Sequence, residues 1–185
     1  MIDARQIPLA LYVHLPWCVR KCPYCDFNSH TVPAGGIAEQ AYVTALQRDL
    51  EHAATGAAGR EIVSVFFGGG TPSLFSPAAI GRVLEHARGL LPFAADVEVT
   101  LEANPGTVEH GRFSEYAAAG VNRVSLGAQS FDDERLAVLG RIHGASDTAR
   151  AVDELRAAGI DNFNLDLMYA LPGQDLRGAL ADLER

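Results

Sequence analysis

The residue types best suited to chemistry are Cys18, Cys22 and Cys25, the chain's only cysteines, set as Cys18-Val-Arg-Lys-Cys22-Pro-Tyr-Cys25 in a C-x3-C-x2-C run. Thiolates are soft ligands that suit iron–sulfur clusters, and three of them on a cubane with four iron corners leave one iron without a protein ligand. Such an iron is open to a chelating small molecule. The short bridges let a single turn wrap three neighbouring corners, and Pro23 stiffens that turn.

The amino and carboxylate groups of S-adenosylmethionine form a chelate of that kind. Its sulfonium would accept an electron from the cluster and lose a carbon–sulfur bond, so the cofactor would carry the hard chemistry. On spacing alone a structural zinc site or three unrelated thiols stay open. Zinc sites usually close with four ligands, in C-x2-C or H-x3-H pairs. With no second cysteine pair, His14 or His30 would have to supply the fourth.

The other candidates stand where apolar segments end. In Phe66-Phe67-Gly68-Gly69-Gly70-Thr71-Pro72 the glycines let the backbone approach a ligand closely, although a plain tight turn would read the same. The missing Gly-Lys-Ser/Thr ending excludes a phosphate loop. Glu102 is placed to accept hydrogen bonds from ribose hydroxyls or an amino group, or else is a solvated acid. Gln129, Arg141 and Asp166 would orient a ligand or pair with one another. Tyr24, between two thiols, would pack on a cluster or an adenine, and Trp17 would shield the cluster from water. His110 and His143 read as solvated loop histidines without a role.

The elements that must position these groups alternate. Apolar β-rich runs are expected as strands at Leu9 to Leu15, Ile62 to Phe67, Val97 to Leu101, Val121 to Leu126 and Ile160 to Leu167. Between them lie helical patterns. One carries Val43, Leu46, Leu50 and Ala53; another starts at Ser76-Pro77 and buries Ile80, Val83, Leu84, Ala87 and Leu91; a third ends at Gly120; a fourth is capped by Ser146 and stops at Gly159. A last helix begins near Gln174. Ala118-Ala-Gly-Val-Asn-Arg-Val-Ser-Leu126 and Ala157-Ala-Gly-Ile-Asp-Asn-Phe-Asn-Leu165 repeat one helix-end-to-strand pattern.

This order predicts an α/β fold with a parallel sheet, open or barrel-like, and helices outside. The cysteines, the glycines, Glu102 and Asn104, Gln129 and Ser130, and Asp166 each follow a strand, so they share one rim. In β/α barrels that C-terminal rim carries the active site. An eight-unit barrel takes about 250 residues, and about five β/α units are visible in the 185 residues. A partial barrel of the TIM type, truncated at the C-terminal end, is therefore expected, its last strand leaving an exposed apolar edge.

The composition, 48% hydrophobic and 21% charged, is that of a globular chain. The net charge of −8, without a Lys/Arg-rich run, argues against nucleic acid as a partner. No apolar run approaches a membrane span and Met1 to Leu15 shows no signal-peptide pattern, so a cytoplasmic location without an integral membrane segment is expected.

The thiol run and Gly68-Gly69-Gly70-Thr71-Pro72 together resemble the radical SAM superfamily. Leu11-Tyr-Val-His14, Cys18 to His30, Leu101-Glu-Ala-Asn104, Ser125-Leu-Gly-Ala-Gln129 and Asp166-Leu-Met-Tyr-Ala-Leu-Pro172 are similar to the oxygen-independent coproporphyrinogen III oxidase group. The oxidases proper carry a further cysteine two positions after the third, where Phe27 stands here, and in this respect the chain resembles HemW-type heme chaperones. The resemblance implies that residues 1–185 form a radical SAM core in which Cys18, Cys22 and Cys25 hold a [4Fe-4S] cluster and its fourth iron takes S-adenosylmethionine. By matching position, Tyr12, Gly69 and Glu102 would contact that cofactor. Tyr24, Gly70, Thr71, Gln129, Arg141 and Asp166 match a second S-adenosylmethionine or substrate site. Heme or a porphyrin would be the further ligand and a heme-acceptor protein the partner; oxidative decarboxylation of coproporphyrinogen is the alternative activity.

Overall fold

A computed structural model describes residues 7–57, 59–106 and 112–185. Five parallel strands form its sheet: β1 (Leu9–Leu15), β4 (Ile62–Gly69), β5 (Phe93–Ala103), β6 (Arg123–Gln129) and β7 (Phe163–Leu167), in the order β1-β4-β5-β6-β7. Two short strands, β2 (Trp17–Cys18) and β3 (His30–Thr31), pair with each other and bracket the cysteine loop. The helices are α1 (Glu39–Ala54), α2 (Pro77–Leu90), α3 (Arg112–Ala118), α4 (Asp133–Val138), α5 (Ala145–Ala157) and α6 (Leu176–Leu183).

Each new strand of the main sheet adds to the same side of the one before it, without a reversal of order. Right-handed crossovers then place the helices on one face, the winding of a barrel rather than of a doubly wound sheet. Strand alternation confirms it: Val13, Leu15, Val65, Phe67, Val99, Leu101, Val124 and Leu126 are buried in one core with Val43, Ile80, Val83, Leu84, Phe113, Tyr116 and Leu155 of the helices. The inner face carries Tyr12, Phe66, Thr100 and Arg123 in register, with Glu102, Ser125 and Asn164 aligned further along. Among the described residues β1 and β7 each pair on one side only, so the structure is a partial (β/α) barrel.

Strand β5 starts at Phe93, four residues before the expected Val97, whereas β6 and β7 start later than expected for one shared physical reason. Gly120 and Gly159 have positive φ and donate to Ala117 and Arg156, while Val121 and Ile160 donate to Tyr116 and Leu155. This is the Schellman arrangement, and it makes Val121 and Ile160 parts of helix ends. The strands follow two and three residues later. Asn122 bridges the gap by accepting from the Val99 N–H and donating to the Val97 carbonyl, as a paired strand residue would.

Ser76 caps α2 as expected, accepting from the Ala79 N–H, and Glu39 at the start of α1 accepts from both its hydroxyl and its N–H at 2.7 Å. Ser146 lies inside α5. The cap position belongs to Gly144, whose N–H donates to the Asp147 carboxylate. Helix α4, too short to show a periodic apolar face, was not expected. Asp182 of α6, buried, accepts from the Ser130 hydroxyl, the Phe131 N–H and the Gln174 amide, fastening α6 to the end of β6. Ser130 is thereby turned away from the rim. Tyr169, just after β7, and Leu176, Leu180 and Leu183 of α6 are exposed apolar side chains.

Candidate functional site

The cysteine loop is laced to its surroundings by backbone bonds. His30 and Thr71 donate to the Pro16 and Trp17 carbonyls, Gly70 to Leu15, and Val32 to Cys18. Lys21 reaches back to the carbonyls of Phe27 and Ser29, and His14 donates from Nε2 to the Asn28 carbonyl at 2.9 Å. A carbonyl can only accept, so that nitrogen carries the proton and Nδ1 takes the Tyr12 hydroxyl at 3.0 Å. Both ring nitrogens of His14 are thus engaged. His30 is exposed and tied into β3, so neither histidine stands ready as a fourth ligand beside the thiols.

The glycine loop closes against the cysteine loop. A Cβ on Gly70 would lie 2.6 Å from the Pro16 carbonyl carbon and the Trp17 carbonyl oxygen, both backbone atoms. Only glycine permits that approach. Between the two loops and the strand ends lies a cavity of ≈ 360 Å³. Cys18, Cys22, Cys25, Tyr24, Gly69, Gly70, Thr71, Glu102, Gln129, Arg141 and Asp166 all line it. Tyr12 lies on the inner face beside it, stacked on Phe66. Arg20, Phe27, Asn104, Ser125 and Gly127 complete the polar and aromatic wall. Ser125 and Gly127 were legible in principle, since they alternate with Arg123 and Gln129 on one strand face.

Arg141 arrives by a route that periodicity does not show. Gly140 ends α4 with φ +71°, donating to Ala137, and Arg141 donates to Leu136, a third Schellman end. The Arg141 side chain then donates to the Gly127 carbonyl at 2.8 Å and approaches the Cys22 sulfur at 3.5 Å. Gln129 holds a left-handed backbone, φ +67°, uncommon for a residue with a side chain. Its carbonyl accepts from Met168, joining the ends of β6 and β7.

Burial pushes the Glu102 carboxyl above its ordinary range; the Gly69 N–H lowers it, the Asp166 charge raises it, and His14 lowers it. Tyr24 is raised by burial, with Arg141 opposing and Cys22 adding to the shift. His143 corrects the expectation of a solvated loop residue: it is buried, donates from Nε2 to the Ala128 carbonyl at 3.1 Å, and has its pKa lowered chiefly by burial. Trp17 corrects another, its ring packing on Tyr42 and Phe75 under the loop rather than in the cavity. His110 lies outside the described residues.

The donor set fits an iron–sulfur cluster. Three thiols without disulfide partners sit on one loop, half-buried, at the wall of a cavity with room for a further ligand. Among the described residues no three His, Cys, Asp or Glu side chains are grouped closely enough to share one metal ion. A cubane does not ask for that, because each of its iron corners takes a single thiolate. Among the described residues no helix is long and apolar enough to cross a membrane.

The chain is 53% identical over 178 residues to the heme chaperone HemW of Escherichia coli, covering 96% of this chain and 47% of that protein. It is 42% identical over 179 residues to a mitochondrial radical S-adenosyl methionine domain-containing protein 1 of Mus musculus, covering 95% of this chain and 39% of the other. The chain therefore spans about half the length of the curated relatives it matches. Among solved structures, the coproporphyrinogen III oxidase HemN of Escherichia coli, described as a radical SAM enzyme, superposes with a TM-score of 0.87 at 32% identity, over 98% of this chain and 42% of that one. The radical SAM superfamily model matches residues 12–184 and so takes in the thiol loop, the glycine loop and every strand-end residue of the cavity. On that match the chain belongs to the radical SAM superfamily.

Proposed function

We propose that residues 1–185 are the radical SAM core of a HemW-like heme chaperone, which binds a [4Fe-4S] cluster, S-adenosylmethionine and heme and passes heme to an acceptor protein in the cytoplasm. The observation that carries this reading is identity to curated heme chaperones along nearly the whole chain. Family membership implies the cluster and S-adenosylmethionine; heme and its acceptor rest on the relatives' names.

Cys18, Cys22 and Cys25 would hold the cluster, which when bound supplies an electron to the S-adenosylmethionine sulfonium. Around it the chain's own groups have distinct tasks. Arg141 places a cation beside the Cys22 sulfur. Glu102, accepting from the Gly69 N–H, and Asp166 bring negative charge to the cavity that the thiols also line, which suits a ligand bearing ammonium and sulfonium groups. Gly69, Gly70 and Thr71 bring backbone close to that ligand, and Tyr24 offers an aromatic face.

A second reading, oxygen-independent coproporphyrinogen III oxidase, is favoured by the structural likeness to HemN. Phe27, exposed at the cavity wall where the oxidases have a further cysteine, counts against it. Anaerobic reconstitution followed by electron paramagnetic resonance with and without S-adenosylmethionine tests the shared core: a cluster signal that the cofactor perturbs is expected, and no such signal would defeat both readings. Heme titration and anaerobic coproporphyrinogen turnover then separate them, heme binding without turnover being the chaperone's result.

A further inference from the structure

The inner face of the sheet carries a continuous line of polar side chains that reaches the cavity from below. Arg123 donates from Nη2 to Asn164 Oδ1 at 2.7 Å. Asn164 Nδ2 donates to Asp166 Oδ1 at 2.7 Å and to Ser125 Oγ at 3.0 Å. Ser125 Oγ donates to Asp166 Oδ2 at 2.9 Å. At the far end the Arg123 Nη1 approaches Thr100 Oγ1 at 3.4 Å and Glu98 Oε1 at 3.6 Å, and Thr100 donates to Glu98 at 3.1 Å. Asp166 and Ser125 line the cavity; Arg123 and Asn164 do not.

The direction of every bond in this line follows from one fact. A guanidinium has donors and no acceptor. Arg123 therefore fixes the Asn164 amide with its oxygen toward β6 and its nitrogen toward Asp166. Because Ser125 accepts from that nitrogen, its one proton is free for the other Asp166 oxygen. Both oxygens of Asp166 thus receive a donor from the protein, and the carboxylate can turn only acceptor lone pairs to the cavity.

We propose that Arg123 and Asn164 are positioning residues that set the direction of this relay and present the Asp166 carboxylate as an acceptor to hydroxyl or ammonium donors of the ligand in the cavity. The proposal rests on the reading that the cavity takes S-adenosylmethionine.

The test uses the anaerobically reconstituted protein and S-adenosylmethionine as the probe, with affinity read from the change in the reduced cluster's resonance signal. Asn164→Asp keeps an acceptor for Arg123 but withdraws the donor from Asp166, and is expected to weaken binding about ten-fold or more, the weight of a hydrogen bond to a charged group. Iron content should match the parent, while the melting temperature falls, since the new carboxylate faces Asp166 where the amide nitrogen stood. Arg123→Lys keeps a donor-only partner and should bind within about three-fold of the parent. Arg123→Gln, able to present a carbonyl, lets the Asn164 amide turn over and should bind clearly more weakly than Arg123→Lys. Parental affinity in Asn164→Asp, or equal affinities in the two Arg123 variants, would overturn the proposal. If Asn164→Asp loses iron, the Arg123 pair decides. A parent protein with a cluster that S-adenosylmethionine does not perturb would instead defeat the reading of the cavity, and the proposal with it.

Discussion

Glu102 Oε2 accepts a hydrogen bond from the Gly69 N–H at 3.2 Å, so that the end of β5 holds the glycine loop at the end of β4. The same carboxyl is partly buried, and burial outweighs the amide in setting its pKa, which lies above the ordinary carboxylate range. Folding therefore favours the protonated form. Stability contributed at this site is fully present below the unfolded value and falls as pH rises from there through the raised folded value. Glu102→Gln keeps an acceptor for Gly69 and removes the charge. It should melt higher than the parent near neutral pH, with the difference shrinking as pH falls through the raised folded value and vanishing below the unfolded value, about 4.3, while affinity for S-adenosylmethionine drops. Melting curves across pH with a parallel binding assay check both halves; a variant less stable than the parent at neutral pH would contradict the assignment.

Gly70→Ala should be among the most damaging single-methyl changes in the chain. The added Cβ meets backbone of Pro16 and Trp17 rather than a side chain that can swing away. Relief requires separating the glycine loop from the cysteine loop, at a cost of about 2–3 kcal/mol. Urea denaturation reads the loss, and iron content after reconstitution should fall with it. Gly35→Ala, where nothing lies within 4 Å, is the control expected to change neither.

Replacing Cys18, Cys22 or Cys25 singly by serine should abolish stable cluster incorporation while leaving the fold, since each is only half-buried, Cys18 at the end of the two-residue strand β2 and the other two on the loop that follows. Circular dichroism should be unchanged and iron and sulfide content should collapse. Retained iron in any one variant would show that its thiol is not a ligand.

Asp182→Ala removes the acceptor of the Ser130 hydroxyl, the Phe131 N–H and the Gln174 amide in a buried setting. About 1–3 kcal/mol should be lost, because the buried Ser130 hydroxyl is left without its acceptor and the part-buried Phe131 N–H and Gln174 amide lose theirs. Hydrogen exchange should show α6 released before the rest of the sheet opens.

The exposed edge makes a further expectation concrete. Leu176 and Leu183 are 76% and 71% exposed on α6, and among the described residues β7 pairs on one side only. This chain should self-associate at high concentration, and the double change Leu176→Lys with Leu183→Lys should suppress that. Stability should move by no more than about 0.5 kcal/mol, as for other exposed positions. Sedimentation of the two proteins side by side reads the effect.

By itself the sequence determined the donor set, the alternation of strands and helices, and the clustering of the thiols, the glycines, Glu102, Gln129 and Asp166 at the C-terminal ends of strands, although Gly68, Gly69, Glu102, Gln129 and Asp166, expected just past the strands, lie within their last two residues. These are local properties: ligand spacing, the periods of apolar residues and the turn chemistry of glycine and proline act within a few residues. Even the displaced strand starts at Val121 and Ile160 were a local ambiguity, since a β-branched residue after a helix-ending glycine serves a Schellman end as well as a strand. Only the tertiary structure decided which side chains meet. Arg141 reaches Cys22 across 119 positions of chain, through the short helix α4 whose apolar pattern is too brief to read. Arg123, Asn164 and Asp166 form one line only because β6 and β7 pair in one register, and His143 and Trp17 are buried only because other elements close over them. Register and burial depend on packing the whole sheet at once, which no short window of sequence contains.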